Sequence, residues 1–260
     1  MNLIEMKDIT HVYVTEREAK LAIESLHLEI NEGEFVSLVG PSGCGKTTIL
    51  SMIAGLLFPT KGEVRLSGDV IKSPSPKVGY MLQQDYLYPW RTIRENILIG
   101  LEITGQLTKD SAQKTSEMLA NMGLAGTENL YPSSLSGGMR QRVALVRTLA
   151  TSPDLLLLDE PFSALDYQTK LQLEDLISDI LREQGKTAIL VTHDLSEAIA
   201  VSDKVIVLDK NPGRIRRTFL IPDEIRKAQP FYAREQAGFN ELFNEIWREL
   251  EDTDGKEDNR

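Results

Sequence analysis

Residues 40–48 read Gly40-Pro41-Ser42-Gly43-Cys44-Gly45-Lys46-Thr47-Thr48, and the first eight match the pattern G-x-x-x-x-G-K-[ST] at every fixed position. The β-like run Phe35–Val39 comes directly before this stretch and predicts a strand. Apolar residues at helical spacing follow it from Ile49 to Leu57. A strand, a glycine-rich loop and a helix in this order predict backbone N–H groups that bind phosphate oxygens at the helix start.

We call residues 40–48 the phosphate loop, and we expect all nine to contribute to binding a nucleotide. Lys46 is expected to bridge the β- and γ-phosphates, and Thr47 to place its hydroxyl on Mg²⁺. The alternative is a glycine-rich turn with an incidental lysine. Cys44 occupies a free position of the pattern, where its small size is the simplest explanation and a redox role is the alternative.

A second candidate for the same chemistry follows another apolar run. Leu155–Leu158 predicts a buried strand, and Asp159 and Glu160 come directly after it. In enzymes with such a phosphate loop, an acid in this place holds the Mg²⁺ shell, so Asp159 is predicted to lie on the metal side. Glu160 could polarise an attacking water as general base. Alternatively, the two acids cap the next helix.

Composition and charge exclude several classes of protein. The 260 residues are 41% hydrophobic and 26% charged, which is typical of a folded globular chain and not of collagen or disordered proteins. A formal charge of -10 opposes a general attraction to nucleic acid or anionic membrane. Cys44 is the single cysteine, so no internal disulfide forms and a reducing compartment is predicted. The first residues lack a signal-peptide pattern, and the apolar runs are too short to span a bilayer, which favours the cytoplasm.

The order of the predicted elements indicates the fold class. Two β-like runs, Ile4–Thr10 and Ala22–Ile30, open the chain, and residues 92–150 are mainly helical with breaks at 121–123 and 131–132. Uninterrupted apolar runs suit a parallel sheet that is covered by helices on both faces. The sequence therefore predicts an α/β domain with a helical insertion and some antiparallel sheet at its start. Further predicted strands are 62–66, 77–82, 188–191 and 204–208.

A third motif separates the families that share a phosphate loop. Leu135-Ser136-Gly137-Gly138-Met139-Arg140-Gln141 ends 18 residues before Asp159. It closely resembles the signature sequence of ATP-binding cassette (ABC) ATPases, and the resemblance covers about residues 2–215. It implies a P-loop NTPase fold with a RecA-like core, an N-terminal antiparallel β-subdomain and a helical signature subdomain at about 85–150. The ATPase domain would then cover residues 1–220, and 221–260 would form a helical extension with an acidic tail.

The resemblance assigns roles to single residues. Gln83 matches the glutamine that senses nucleotide, joins the metal site and faces the transporter, with Gln84 as a neighbouring ambiguity. His193 matches the switch histidine that contacts the γ-phosphate and orders Glu160 and water. Tyr13 looks like the aromatic residue that stacks on adenine, with an ordinary core or surface tyrosine as the alternative. The implied catalytic set is Glu160, His193, Gln83 and Lys46; the implied ligands of Mg²⁺ are Thr47, Gln83 and Asp159.

The same resemblance implies a second subunit. Ser136, Gly137 and Gly138 would reach the γ-phosphate of an ATP that is held by a partner, and residues 163–166 would contact that partner. A single half-site cannot complete catalysis in this arrangement. An ATP-sandwich dimer, expected to be a homodimer, is therefore implied.

Aromatic residues on a predicted loop point to a further partner. Tyr86, Tyr88 and Trp90 are costly to leave in water, which suggests a protein contact, although the rings could instead pack under the helical insertion. Residues 87–92 and 211–215 resemble the importer subgroup for nitrate, sulfonate and taurine. The resemblance implies ATP-driven uptake of a small solute through separate transmembrane permease subunits, fed by a solute-binding protein, at the cytoplasmic face of the membrane. Alternatives are an importer of another organic solute such as a vitamin precursor, a soluble ABC ATPase, or a binding module with negligible hydrolysis.

The C-terminal extension carries one apolar stripe at helical spacing. We expect it to pack on its own domain, with a dimer or partner contact as the alternative. Glu249–Arg260 is polar and mainly acidic, and it is predicted to be a solvated, disordered end. The stripe consists of Phe239, Leu242, Phe243, Ile246, Trp247 and Leu250.

Overall fold

The computed structural model describes residues 2–15 and 18–254. The strands are β1 (Asn2–Val14), β2 (Ala19–Asn31), β3 (Phe35–Val39), β4 (Lys61–Leu66), β5 (Asp69–Val70), β6 (Val78–Met81), β7 (Leu155–Asp159), β8 (Thr187–Val191), β9 (Lys204–Asp209) and β10 (Arg214–Leu220). The α-helices are α1 (Lys46–Ile53), α2 (Ile93–Ile103), α3 (Lys109–Leu119), α4 (Gly137–Leu149), α5 (Tyr167–Glu183), α6 (Leu195–Val201), α7 (Asp223–Arg226), α8 (Pro230–Ala233) and α9 (Phe239–Asp254).

The described residues fall into two compact units. The first unit takes them from Met1–Ser75 and Glu174–Arg260, and the second from Pro76–Leu173. The helical subdomain predicted at about 85–150 lies within the second unit. None of the helices in the described ranges is both long and apolar enough to cross a membrane.

An antiparallel sheet begins the first unit, as the sequence predicts. Its strands lie in the order β2-β1-β4-β5, and Ile4 pairs with Ile30 on one side and with Leu66 on the other. Along β2, buried and exposed residues alternate from Leu26 to Asn31, so one face of the sheet packs on the core. Both opening strands are longer than predicted because their backbone pairing continues beyond the predicted runs, as far as Val14 opposite Ala19.

The parallel strands of the first unit support the phosphate loop. Strand β3 pairs in parallel with β8 on one side and β9 on the other, and β10 pairs antiparallel with β9. Every residue of β8 is buried, which confirms the interpretation of the uninterrupted apolar run 188–191, and β3 is buried throughout as well, including Ser37. Strand β10 was not predicted. Phe219 is its single buried residue and three of its seven residues are arginines, so the sequence gives little hydrophobic signal for a strand.

The second unit combines two parallel strands with the helical insertion. Strands β6 and β7 pair in parallel, with Val78 opposite Leu155, and α4 packs on α2, α3 and β6. Both predicted helix breaks are present: Gly123 has a positive φ inside a π-helical turn, and Pro132 begins a short 3₁₀ turn. A further break separates α2 from α3, which begins at a Thr108 capping box. The predicted α/β class with an antiparallel start and a helical insertion is confirmed.

The C-terminal extension is part of the first unit's core. Phe239 and Ile246 of α9 are buried in a cluster with residues of α6, β9 and β10, while Trp247 remains 47% exposed. The prediction that the stripe packs on its own domain is confirmed for its buried members. The predicted disorder from Glu249 onward is wrong for the start of that segment, because α9 continues to Asp254 and Glu249 pairs with Arg216 and Arg217. Residues 255–260 lie outside the described part of the chain.

Candidate active site

The phosphate loop has a backbone that only glycine permits at several positions. A Cβ at Gly40 would lie 2.8 Å from both Cys44 Sγ and the carbonyl oxygen of Leu208, closer than real contacts allow. Gly43 and Gly45 have φ values of 79° and 100°. Helix α1 begins directly after Gly45, which as N-cap has no side chain to accept a hydrogen bond from the first turn. The geometry is that of a helix start prepared for an external anion.

The ammonium group of Lys46 folds over this loop. Its Nζ donates hydrogen bonds to the carbonyl oxygens of Gly40 and Pro41 at 2.7 and 3.0 Å, and it lies 3.6 Å from Cys44 Sγ. A positive charge is therefore held beside the helix start, where phosphate oxygens could replace the carbonyl partners. Cys44 is completely buried, and this burial raises the pKa of its thiol. A neutral, buried thiol favours the packing explanation for Cys44 over the redox alternative.

The side chains of Tyr13 and Thr48 are in contact in the first unit. The Tyr13 hydroxyl lies 3.1 Å from Thr48 Oγ1, and its ring meets His11 edge-on with centroids 4.6 Å apart. Tyr13 is 43% exposed, which excludes the core alternative and leaves ring surface accessible for stacking. Burial lowers the pKa of the His11 imidazole and so favours its neutral form.

His193 occupies an exposed turn between β8 and α6. The residues on either side fix that turn: the Asp194 N–H donates to Thr192 Oγ1 at 3.0 Å, and the Asp194 carboxylate accepts from the Glu197 N–H as N-cap of α6. The backbone that carries the imidazole is thus well defined, while the imidazole itself reaches the surface.

In the second unit, the carboxyl end of β7 presents Asp159 and Glu160. Asp159 is buried, and Glu160 has φ 50°, an unusual conformation for a residue other than glycine that is often found at functional sites. Gln83 Nε2 donates to Glu160 Oε2 at 2.9 Å, so Gln83 rather than Gln84 makes this contact. The Glu160 carbonyl accepts from Ser163 Oγ at 3.0 Å. These bonds fix Glu160 at the strand end.

The next helix, α5, is capped by Asp166 and not by these two acids. The Asp166 carboxylate accepts the Thr169 N–H at 3.0 Å at the start of α5, and this hydrogen bond lowers the pKa of Asp166. The first turn of α5 is therefore capped by Asp166 rather than by Asp159 or Glu160.

The signature motif forms the start of α4. Ser136 is its N-cap and accepts the Met139 N–H at 3.3 Å. A Cβ at Gly138 would lie 3.0 Å from Leu165 Cδ2 and 3.3 Å from the Ala164 carbonyl, so a larger residue would press on that segment. The signature motif and residues 163–166 therefore pack against each other. The family resemblance assigns both segments to the contact with a second subunit.

The aromatic loop, residues 85–91, presents its rings to solvent. Tyr86 is 59% and Trp90 72% exposed, and Tyr88 is also exposed with its ring 5.4 Å from that of Trp90. The alternative in which these rings pack under the helices is therefore wrong. This aromatic surface is a candidate protein contact.

Two residues that the sequence reasoning missed fix the aromatic loop. Arg147 donates to the carbonyl oxygens of Asp85 and Tyr86 at 2.7 and 2.9 Å. The buried Asn96 accepts the Tyr88 N–H at 2.8 Å. No sequence motif marks either residue. Their role comes only from the packing of α2 and α4 beside the loop.

Comparison with known proteins decides the family. The family model described as ABC transporter matches residues 23–163, which is more than half of the chain. The chain belongs to the ABC transporter family. It is an ATP-binding protein and an ATPase of that family, as the motifs predict.

Relatives of this ABC ATPase match along almost its whole length. An uncharacterized ABC transporter ATP-binding protein of Bacillus subtilis (strain 168), YtlC, is 50% identical over 250 residues, covering 96% of each chain. The nitrate import ATP-binding protein NrtD of a Synechocystis species is 36% identical over 260 residues and covers 96% of this chain and 98% of its own. Among solved structures, the dimeric ATP-binding cassette MJ0796 bound to ADP and phosphate has a TM-score of 0.77 at 33% identity, covering 84% of this chain and 99% of that one. The cassette fold predicted from the motifs is confirmed.

Proposed function

We propose that this ABC ATPase is the ATP-hydrolysing subunit of an importer, and that it drives uptake of a small solute of the nitrate, sulfonate or taurine kind through separate transmembrane permease subunits. It acts as a homodimer with two ATP sites, peripheral at the cytoplasmic face of the membrane. A separate solute-binding protein delivers the solute.

The phosphate loop supplies the nucleotide-binding groups of this proposal. Lys46 exchanges its carbonyl partners for β- and γ-phosphate oxygens, and the uncapped start of α1 adds N–H donors. Tyr13, with its accessible ring, stacks on adenine. The domain that contains these residues is assigned to 1–220, with 221–260 as its extension.

The acids at the end of β7 and the switch histidine supply the hydrolytic groups. Glu160 accepts a proton from the attacking water, Gln83 orients the Glu160 carboxylate through the 2.9 Å bond, and His193 contacts the γ-phosphate. Ser136, Gly137 and Gly138 face the nucleotide that the second protomer holds. The dimeric state of the related cassette MJ0796 supports this arrangement.

The donor set suits Mg²⁺ together with nucleotide rather than metal alone. Among the described residues, no group of three or more His, Cys, Asp or Glu is placed to hold a metal ion. Protein sites for Mg²⁺ commonly use one or two carboxylates and complete the shell with substrate phosphates and water. Asp159, the Thr47 hydroxyl and the Gln83 amide would serve as these protein ligands. When bound, Mg²⁺ neutralises charge that develops on the phosphate oxygens.

A single observation carries the coupling of hydrolysis to transport. The hydrogen bond from Gln83 to Glu160 ties the proposed general base to the segment that leads directly into the exposed aromatic loop. A permease that docks on Tyr86, Tyr88 and Trp90 would move this segment, and with it the orientation of Glu160. The exposed rings favour a transporter subunit over a soluble ABC ATPase without a membrane partner.

Substitution of Trp90 tests the docking surface. The experiment reconstitutes the ATPase in proteoliposomes with a candidate permease and measures both its association with that permease and ATP-dependent solute uptake. Trp90→Ala is expected to lower association with the permease at least about tenfold, because exposed tryptophans at interfaces are common hot spots. The matched control is Trp247→Ala, which changes the other tryptophan of the chain, also exposed but outside the loop.

Equal association of both variants with the permease would contradict the docking surface. Nitrate, taurine, an alkanesulfonate and a pyrimidine vitamin precursor serve as alternative solutes in the same vesicles. Uptake of the vitamin precursor alone would replace the proposed solute class and leave the ATPase role intact.

A further inference from the structure

The turn between β9 and β10, residues 210–213, touches the phosphate loop through one glycine. A Cβ built on Gly213 would lie 2.2 Å from the carbonyl oxygen of Cys44 and 3.0 Å from that of Ala22. The φ of Gly213 lies outside the left-handed region, so an alanine here would suffer no backbone strain of its own. Space against Cys44, rather than conformational freedom, requires glycine at this position.

Gly213 is anchored on its other side. Its N–H donates to the Ala22 carbonyl at 2.8 Å, and its carbonyl accepts the Glu24 N–H at 3.1 Å. The next residue, Arg214, forms an ion pair with Glu24. The turn is thus bound to strand β2, which is itself paired with β1 along most of its length.

The phosphate loop is held at Cys44 from two directions. The buried Cys44 side chain fills the space beside Gly40 and under the Lys46 ammonium, while its carbonyl lies against Gly213. Ile23, which pairs with Gly213, also approaches the loop, since its Cγ1 lies 3.1 Å from a Cβ built on Gly45. The turn and strand β2 together pack against the phosphate loop at Cys44 and Gly45.

We propose that Gly213 is a positioning residue for ATP binding, which acts by fixing the Cys44 carbonyl and thereby the N–H groups and Lys46 of the phosphate loop. This proposal rests on the nucleotide-binding role assigned above to that loop. Ordinary van der Waals contact begins at 3.4 Å, so a methyl group at residue 213 must gain about 1.2 Å from the Cys44 oxygen. Because two hydrogen bonds hold residue 213 on β2, the displacement falls on the phosphate loop.

The test uses Gly213→Ala in the full chain. Since misplacement of binding groups by about 1 Å can cost on the order of 100-fold, we expect the Kd for ATP to rise roughly 10-fold to 100-fold. The KM for ATP should rise by more than kcat falls. The buried Cys44, the single cysteine of the chain, gives an independent readout: its labelling by a thiol reagent should accelerate at least about tenfold, and ATP should protect it less.

A matched glycine variant separates loop displacement from loss of stability. At Gly79 in β6, a Cβ would meet the Pro153 and Thr148 side chains at 2.8 and 3.0 Å, so Gly79→Ala is also crowded but touches no part of the phosphate loop. We expect Gly79→Ala to lower the melting temperature while ATP affinity and Cys44 labelling remain within about twofold of wild type. An unchanged Kd and unchanged labelling in Gly213→Ala would overturn the proposal. Wild-type protein that fails to bind ATP would instead refute the proposed function.

A second variant decides the question if Gly213→Ala is not recovered folded. Arg214→Ala removes the ion pair to Glu24 and loosens the anchor without adding atoms near Cys44. Because an exposed ion pair contributes little to the free energy of unfolding, we expect the fold to remain intact. Cys44 labelling should rise by about twofold to fivefold, since the anchor of residue 213 is looser. Labelling at the wild-type rate in Arg214→Ala would then contradict the proposal.

Discussion

Replacement of Glu160 by glutamine isolates its proposed role as general base. Glutamine has the same length, and its amide oxygen can accept the hydrogen bond that Gln83 donates at 2.9 Å. The bonds from Ser163 Oγ and Gln141 Nε2 go to the backbone carbonyl of residue 160 and do not depend on its side chain. The unfolding free energy should therefore change by less than about 0.5 kcal/mol.

The effect on hydrolysis should be far larger than the effect on folding. A positioned base typically contributes about 10²- to 10⁴-fold, which corresponds to roughly 2.7 to 5.5 kcal/mol of activation free energy. Glu160→Gln should lower turnover by this factor. The Kd for ATP should stay within about twofold, because Lys46 and the phosphate loop, rather than Glu160, bind the phosphates. Dimer closure with ATP should persist.

Phosphate release and isothermal titration with ATP measure the two quantities on the same preparation. Glu183→Gln, which neutralises an exposed acid at the end of α5, serves as the control for loss of one negative charge. A turnover in Glu160→Gln within threefold of wild type would refute the assignment of the base. A large loss of ATP affinity would show that Glu160 acts in binding instead.

The remaining predictions concern the phosphate loop and the C-terminal extension. Lys46→Ala should abolish measurable ATP binding by titration, and unchanged affinity would contradict the phosphate-site argument, because this ammonium lies beside the uncapped helix start. Ile246→Ala should cost about 2 to 5 kcal/mol in urea unfolding because Ile246 is fully buried, whereas the exposed Asn244→Ala on the same helix should cost under about 0.5 kcal/mol. Hydrogen bonding from Arg216 lowers the pKa of Glu249, so the stabilisation is present above the ordinary carboxyl pKa of 4.5 and lost as pH falls through the lowered value. Melting temperatures of wild type and Glu249→Gln should therefore differ at pH 7 and converge toward pH 3.

The apolar runs predicted most of the interior, and the exceptions have physical causes. Strands β7 and β8, which contain the uninterrupted apolar runs, are buried at every residue, and so is β3 despite its Ser37. The sequence pattern does not predict strand β10, because backbone pairing with β9, rather than an apolar pattern, holds its arginines in a strand. The sequence predicts a disordered end from Glu249 onward, whereas α9 continues to Asp254, because Glu249 pairs with arginines 32 and 33 residues earlier in the chain.

The sequence by itself determined the family and the phosphate loop. An anion-binding helix start is built from consecutive residues, so the glycines at 43 and 45 and the lysine at 46 encode its shape locally. Only the tertiary structure decided which distant residues fix the reactive groups. Gln83 meets Glu160 across 77 positions, and Gly213 meets Cys44 across a still longer separation. Such contacts depend on which strand ends and turns the fold brings together, and no local pattern of residue types records that geometry.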